Sequence, residues 1–372
     1  MKMSEYNRRE FLEFMGYGAA AAALVPPVFG CTKSSPKAQV DGLPFTPLGP
    51  TRSDALTLVK GFESRIVLSH GQALNDAGAR FGYNNDYIEL FPVPGVSGPD
   101  ELLMWVNHES VEPKLLHSKG WKEPLSREEV SADRKEVGGS LARIRRSDGE
   151  WQLVNNDSLN RRIDGTTPIP LVGGRPIAGE RVATGTLANC AGGKTPWGTL
   201  LTCEENFDNF YPPRTSDGWA LTEHPHWWHL HYDRPSEHYG WVVEVNPYTG
   251  AAKKLIALGR FAHECATVRV TRDGRAVVYS GDDIEFGSLY KFIASKPGTL
   301  EEGTLYVASV EQERWLPLLR SEHPVLAERF RDQTEVLIHA REAAKLIGAS
   351  KLDRPEDIEV DPKTGAVLVA LT

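Results

Sequence analysis

The sequence predicts an all-β protein, a β-propeller with inserted loops and short helices, and three observations carry that expectation. Strand-like apolar runs alternate with compact turn sequences through most of the chain. A unit recurs in which a polar residue, an apolar strand and a glycine turn lead to a returning strand that ends in acids. Glycine, proline and tryptophan are abundant, with 34, 25 and 9 residues, which favours turns and short strands over long helices.

Composition bounds the rest. Of 372 residues, 42 are basic and 50 acidic, giving a formal charge of −8. The hydrophobic share of 40% and charged share of 25% suit a packed globular protein and exclude wholesale disorder. A mildly acidic chain lacks the basic stripes that bulk nucleic-acid binding requires. No run reaches the ~20 apolar residues of a membrane span.

Residues 1–31 read as an export signal. Arg8-Arg9 stand before Phe11-Leu12, the twin-arginine arrangement, and an alanine-rich segment runs from Phe14 to Val25. Val28-Phe29-Gly30-Cys31 then resembles a bacterial lipoprotein cleavage box, which makes Cys31 the candidate for lipidation. The expected partner is the twin-arginine export machinery, and the expected location is the periplasm or a membrane surface reached through a lipid anchor, including the cell surface. That route carries folded proteins, often with cofactors already loaded. Residues 32–60 read as a tether, and 61–372 as the propeller.

Turns mark the elements in order. Ser147-Asp148-Gly149, Asn246–Gly250, Arg272-Asp273-Gly274 and Asp361–Gly365 each sit between apolar runs. One helical segment is expected over about Pro324–Leu346, where Arg341-Glu342-Ala343-Ala344-Lys345-Leu346 collects good helix formers. Gly139-Ser140-Leu141, Gly287-Ser288-Leu289 and Gly303-Thr304-Leu305 are each expected to open a strand.

The repeat unit has consequences for chemistry. Asn189-Cys190 leads through Gly192-Gly193 to Cys203-Glu204-Glu205, and His263-Glu264 leads through Gly274 to Asp282-Asp283. Arg354-Pro355-Glu356 leads through Gly365 to Leu371-Thr372, and Asn107-His108-Glu109 ends an earlier unit. If each unit is a hairpin, its open end carries the polar residues. Radial packing then gathers Cys190 and many carboxylates at one mouth of the channel. The last unit stops at Thr372 with its blade unfinished, so a C-terminally truncated propeller is expected.

Crowded carboxylates raise one another's pKa and need compensating charge. Metal ions supply it. Calcium takes oxygen ligands, whereas a thiolate such as Cys190 indicates a transition metal such as iron or zinc. Beyond Cys31 three cysteines remain, Cys190, Cys203 and Cys265, so in an oxidising compartment at least one is unpaired within the chain. A Cys190–Cys203 disulfide is the alternative for this pair.

Six blocks, in order, then resemble the PhoX-type alkaline phosphatases. They are Asn189–Gly193 with Thr195–Thr199 and Thr202–Asn206, then Gly240–Pro247, Leu258–Glu264, Ser280–Asp283, Tyr290–Phe292 and Arg354–Glu356. Asn107–Glu109 fits an earlier block. The resemblance implies a propeller phosphatase with two ferric irons, Fe(III), and calcium ions, Ca(II). It implies Cys190 as the iron thiolate ligand and Glu264 and Glu356 as iron carboxylates. It makes Glu204, Glu205, Asp282, Asp283, Asn107 and Glu109 candidates for the calcium shell, and Arg354 the residue that holds phosphate. The substrate class it implies is small-molecule phosphomonoesters, attacked without a serine nucleophile.

Blander readings stand beside these. Acidic pairs often close strands in solvent, Cys203 and Cys265 read as core thiols, and Lys253-Lys254 reads as a solvated strand face. His224–His231, with four histidines alternating with tryptophans, reads as a covering loop because its spacing does not suit a tetrahedral metal site. Two other function classes remain: a calcium propeller hydrolase of lactonase or phytase type, and a non-enzymatic exported propeller lipoprotein.

Overall fold

A computed structural model describes residues 45–372, and the chain divides into two compact units between Ser64 and Arg65. The expected signal and Cys31 lie outside the described residues. In the first unit residues 45–64 form no helix or strand, and the Phe45 ring meets Phe62 edge-on at 5.7 Å. Among the described residues no helix is long and apolar enough to cross a membrane.

The second unit is built from successive sheets, in agreement with the all-β propeller expectation. The first sheet has the order β1 (Asn85–Pro92), β2 (Glu101–His108), β3 (Gly138–Ser147) and β4 (Glu150–Leu153), with β5 (Arg161–Ile163) also on β3. Two helices, α1 (Pro113–His117) and α2 (Arg127–Glu136), lie between β2 and β3. Ser126 starts α2 through a capping box with Glu129, which satisfies two backbone N–H groups at once.

The second sheet contains β6 (Pro168–Val172), β7 (Val182–Thr184), β8 (Asn189–Lys194) and β9 (Leu200–Glu204). A long insertion with the small hairpin β10 (Arg214–Thr215) and β11 (Gly218–Trp219) follows, and then β12 (Val242–Val245) and β13 (Ala252–Leu255) return to the sheet. Its order is β7-β6-β13-β12-β9-β8, with only the β6–β13 contact parallel. All five residues of β9 are buried, as a strand covered on both faces requires.

The third sheet runs β14 (Thr267–Val270), β15 (Ala276–Gly281), β17 (Leu289–Ala294), β18 (Gly303–Ser309) and β19 (Arg314–Pro317). β16 (Glu285–Gly287) pairs instead with β20 (Leu352–Asp353), and β21 (Pro355–Val360) pairs with β22 (Val367–Leu371). Each of the four expected turns joins an antiparallel pair; two of the glycine-led triplets lie at the starts of β3 and β18, whereas Gly287 closes β16 and Leu289 begins β17.

Two expectations are corrected. The segment Pro324–Leu346 is three short helices, α3 (Pro324–Arg329), α4 (Gln333–Ile338) and α5 (Ala340–Leu346). Asp332 breaks the run because its carboxylate accepts the Glu335 N–H at 2.9 Å and starts a new helix. Lys254 is not on a solvated face. It is fully buried, and its Nζ donates to Glu204 Oε1 at 2.7 Å and to the His238 carbonyl at 2.9 Å. Glu204 is equally buried and accepts the Gly240 and Trp241 N–H groups on its other oxygen, at 3.0 and 3.1 Å.

The glycines of the Asn189–Gly193 block serve close backbone approach. A Cβ on Gly193 would lie 2.0 Å from the Ala266 carbonyl oxygen, across the seam between the second and third sheets. Across that seam the Ala191 N–H donates to the Glu264 carbonyl at 3.0 Å, and the Ala266 N–H to Gly192 at 3.1 Å. Gly281 does the same at the next seam, where its Cβ would lie 2.0 Å from the Pro355 carbonyl oxygen. These contacts hold the open ends of successive hairpins together.

The buried pair yields a prediction. Lys254→Met leaves Glu204 charged and unpaired in the core, which costs about 3–5 kcal/mol. Thermal unfolding should show a fall of roughly 10 °C, partly reversed in the double variant with Glu204→Gln. An unchanged midpoint in the single variant would show that the pair carries no stability.

Candidate metal centre

The hairpin β8–β9 pairs Asn189 with Glu204, so Cys190 and Glu205 emerge at the same end. The loop before β14 runs beside it, and an isolated bridge pairs His263 with Asp282. Glu264 and Asp283 therefore emerge next to Cys190 and Glu205. From the first sheet, β2 ends at His108 and delivers Glu109, whose N–H donates to the Asn84 carbonyl at 3.1 Å.

The result is a compact set of ligand atoms. One atom each from Glu109, Cys190 and Glu205 lie within 4.8 Å of one another, and so do one each from Glu205, Glu264 and Asp283. Glu205 belongs to both groups. Cys190 Sγ lies 3.1 Å from Glu264 Oε1 and 3.6 Å from Asp86 Oδ2.

The electrostatics show a site short of positive charge. Burial, reinforced by Glu264, Glu109 and Asp283, pushes the Glu205 carboxyl up to about 9. Burial raises Glu264 to about 7, against the opposing hydrogen bond from Cys190. Glu109 is raised by burial and by the charge of Asp86. Burial and the surrounding acids push the Cys190 thiol far up. Asp283 Oδ1 is buried with no hydrogen-bond partner, although its other oxygen accepts from Arg354 Nη2 at 2.6 Å.

These observations test the fit of metal ions, and the donor set passes. A soft sulfur with two carboxylates suits a transition metal, and the all-oxygen group suits a hard cation. The unpartnered Asp283 oxygen and the raised carboxyls are what such a set shows before a cation compensates it.

Arg354 stands at the rim. Its side chain is 45% exposed, and Nη2 lies 2.6 Å from Asp283 and 3.0 Å from Glu356. Its φ of 40° is left-handed, an unfavourable conformation for a side-chain-bearing residue, and it sits at the junction of β20 and β21. Glu356 lies outside both ligand groups. It accepts from Arg354 and from Thr372 Oγ1 at 2.7 Å, and its charge still contributes to raising Glu264.

Three of the expected ligands are placed elsewhere. Glu204 is held by Lys254 in the core. Asp282 is held by Arg341, whose Nε and Nη2 reach it at 2.7–3.0 Å, and it also accepts the Ala262 N–H. Asn107 accepts from Trp105 Nε1 at 2.6 Å and Thr202 Oγ1 at 2.8 Å, and donates to the carbonyls of Cys190 and Ala191. It fixes the backbone that carries the thiol rather than a cation. Cys190, Cys203 and Cys265 are all free, so the disulfide alternative falls. Cys265 packs with Ala191 and Ile358 behind the cluster.

Sequence reasoning missed Asp86 and Arg341. Asp86 follows Asn84-Asn85 where β1 begins, the polar start of a strand that matches the ends of the other units. Arg341 sits in a run of helix formers and carried no signal of its own.

The chain matches the alkaline phosphatase PhoX family over residues 43–372. It is similar to a solved structure of Pseudomonas fluorescens PhoX in complex with vanadate, described as a transition state analogue. The two share 33% identity with a TM-score of 0.77, covering 87% of this chain and 67% of that one. No curated protein matches.

The raised carboxyls predict how metal removal acts. Glu205 has a folded pKa above its unfolded value, so its protonated form stabilises the metal-free fold at low pH. That contribution is complete below about pH 4.5 and is lost as pH rises through about 9. Melts of chelator-treated protein should therefore fall steadily from pH 5 to pH 9, while those of metal-loaded protein stay level. Parallel slopes in the two samples would contradict the compensation argument.

Proposed function

The chain belongs to the PhoX family of alkaline phosphatases, and from that membership we propose that it hydrolyses phosphomonoesters at the Cys190 cluster with iron and calcium bound there. The observation that carries the reading is the compact set of one thiol and four acids, Glu109, Glu205, Glu264 and Asp283, with Arg354 at its rim. Cys190 with Glu109, Glu205 and Glu264 around it is the place for iron. Glu205, Glu264 and Asp283 offer only oxygen and suit calcium. Glu356 extends the ring of acids toward solvent.

Bound metals supply charge neutralisation of the phosphoryl oxygens and the leaving alkoxide, and lower the pKa of an attacking water. The chain's own residues do the positioning. Arg354 offers the phosphate a planar fork of N–H donors, which Asp283 and Glu356 hold in place. The Asp283 carboxylate raises the Arg354 pKa, so the guanidinium keeps its charge at alkaline pH. Asn107 fixes the Cys190 backbone from behind.

A lactonase-type or purely calcium-binding propeller leaves the buried thiol among the acids without a role. Export by the twin-arginine route and lipidation at Cys31 belong to the proposal, supported by Arg8-Arg9, the alanine-rich segment and the Val28–Cys31 box. Iron bound before export fits a route that carries folded protein.

Two measurements test the reading. Purified protein should hydrolyse p-nitrophenyl phosphate and contain iron together with calcium, and Cys190→Ser should lose most of both iron and rate. A serine variant with full iron and full activity would remove Cys190 from the site. Arg354→Lys should lower kcat/KM by roughly 10–100-fold, the worth of a charge-assisted bidentate contact, with metal content unchanged. Wild-type rates in that variant would take Arg354 off the phosphate.

A further inference from the structure

Beside the cluster lies a hollow of about 300 Å³ lined by Tyr83, Asn84, Ser110, Glu112, Leu115 and Trp121. Its lining adjoins the metal centre along the chain. Ser110 follows Glu109, and Asn84 receives the Glu109 N–H at 3.1 Å. Asp86, two residues beyond Asn84, reaches to 3.6 Å from Cys190 Sγ.

Its aromatic wall is braced by the histidine-tryptophan segment. Trp121 meets the rings of His224 and His226 at 5.0 and 5.1 Å, and its carbonyl accepts the Trp227 Nε1–H at 3.1 Å. His226 is itself buried, stacked on Phe210 at 4.0 Å, with Nε2 3.3 Å from Ser110 Oγ. Burial keeps the His226 imidazole neutral near neutral pH. A half-buried indole held from three sides is a preformed surface for a planar group, with little freedom left to lose on binding.

We propose, resting on the phosphatase reading, that this hollow seats the alcohol half of the substrate and favours phosphomonoesters of uncharged aromatic alcohols. With the phosphate at Arg354 and the cluster, the ring lies against Trp121 and Tyr83. Leu115, 71% exposed at the rim, covers its edge. Ser110 and Asn84 offer hydrogen bonds to substituents, and the Glu112 carboxylate disfavours a second anionic group on the ring. The segment His224–His231 is then a buttress for substrate selection rather than a metal site.

The test separates this inference from the one beneath it. Calorimetric titration of metal-loaded protein with phenylphosphonate and methylphosphonate compares ligands that share the anionic group and cannot be hydrolysed. Phenylphosphonate should bind about tenfold tighter, 4-carboxyphenylphosphonate should lose that advantage, and Trp121→Ala should cut it to about twofold. Should Trp121→Ala fail to fold, Leu115→Asp at the exposed rim should reduce the same ratio at least threefold. Equal affinities in the wild type, an advantage kept by the carboxylated ligand, or a ratio untouched by the folded variant overturns the inference. Methylphosphonate binding and glycerol 2-phosphate hydrolysis report on the phosphate site alone. If both are absent, the phosphatase reading falls and this inference with it. If both are present without the ring preference, only this inference falls.

Discussion

The structure depends on one electrostatic constraint: a thiol and several carboxylates, buried or half-buried, are held within a few ångströms of one another. Like charges at that separation cannot all persist, and burial removes the solvent that would screen them. Glu205 shows the consequence most plainly, since its protonated form is favoured to about pH 9. Only bound cations let these groups ionise together. The chain therefore encodes half of a charge balance, and the seams between sheets are built to keep that half assembled.

The assembly is rigid because neutral or already paired groups surround it. Asn107 ties the first sheet to the Cys190 backbone, and it does so with no net charge. Gly193 and Gly281 let neighbouring hairpins approach backbone to backbone, which places ligands from separate sheets together without a long side chain to bridge them. Cys265 and Ile358 close the space behind. A ligand set supported this way loses little entropy when ions bind, so more of the binding free energy remains.

Much of this was legible in the sequence because hairpins have a fixed geometry. The segments Thr195–Thr199 and Arg272–Gly274 join β8 to β9 and β14 to β15, and the registers of those pairs set which residues emerge at the open ends. Cys190, Glu205, Glu264 and Asp283 follow from that logic. Local pattern does not reveal long-range pairing. Lys254 reads as a surface residue until Glu204 is found beside it, and Arg341 reads as a helix former until Asp282 is. The run Pro324–Leu346 reads as one helix for a related reason: an aspartate within a helical pattern is ambiguous until its carboxylate is seen to cap, as Asp332 does at Glu335.

The acidic doublets show why sequence could find the site and still misassign its members. Glu204-Glu205 and Asp282-Asp283 occupy the same place in two hairpins. Successive residues of an extended chain point to opposite sides, so one member of each doublet must turn inward when the other faces the mouth. The inward members meet cations of the protein, the buried Lys254 for Glu204 and the half-buried Arg341 for Asp282. The outward members, Glu205 and Asp283, join the ligand groups. Each doublet thus anchors its strand end to the core with one carboxylate and presents the other, and the anchoring cation is supplied from elsewhere in the chain. A doublet read alone cannot show which acid is which. The partner lysine and arginine decide it, and they are adjacent only in the folded protein.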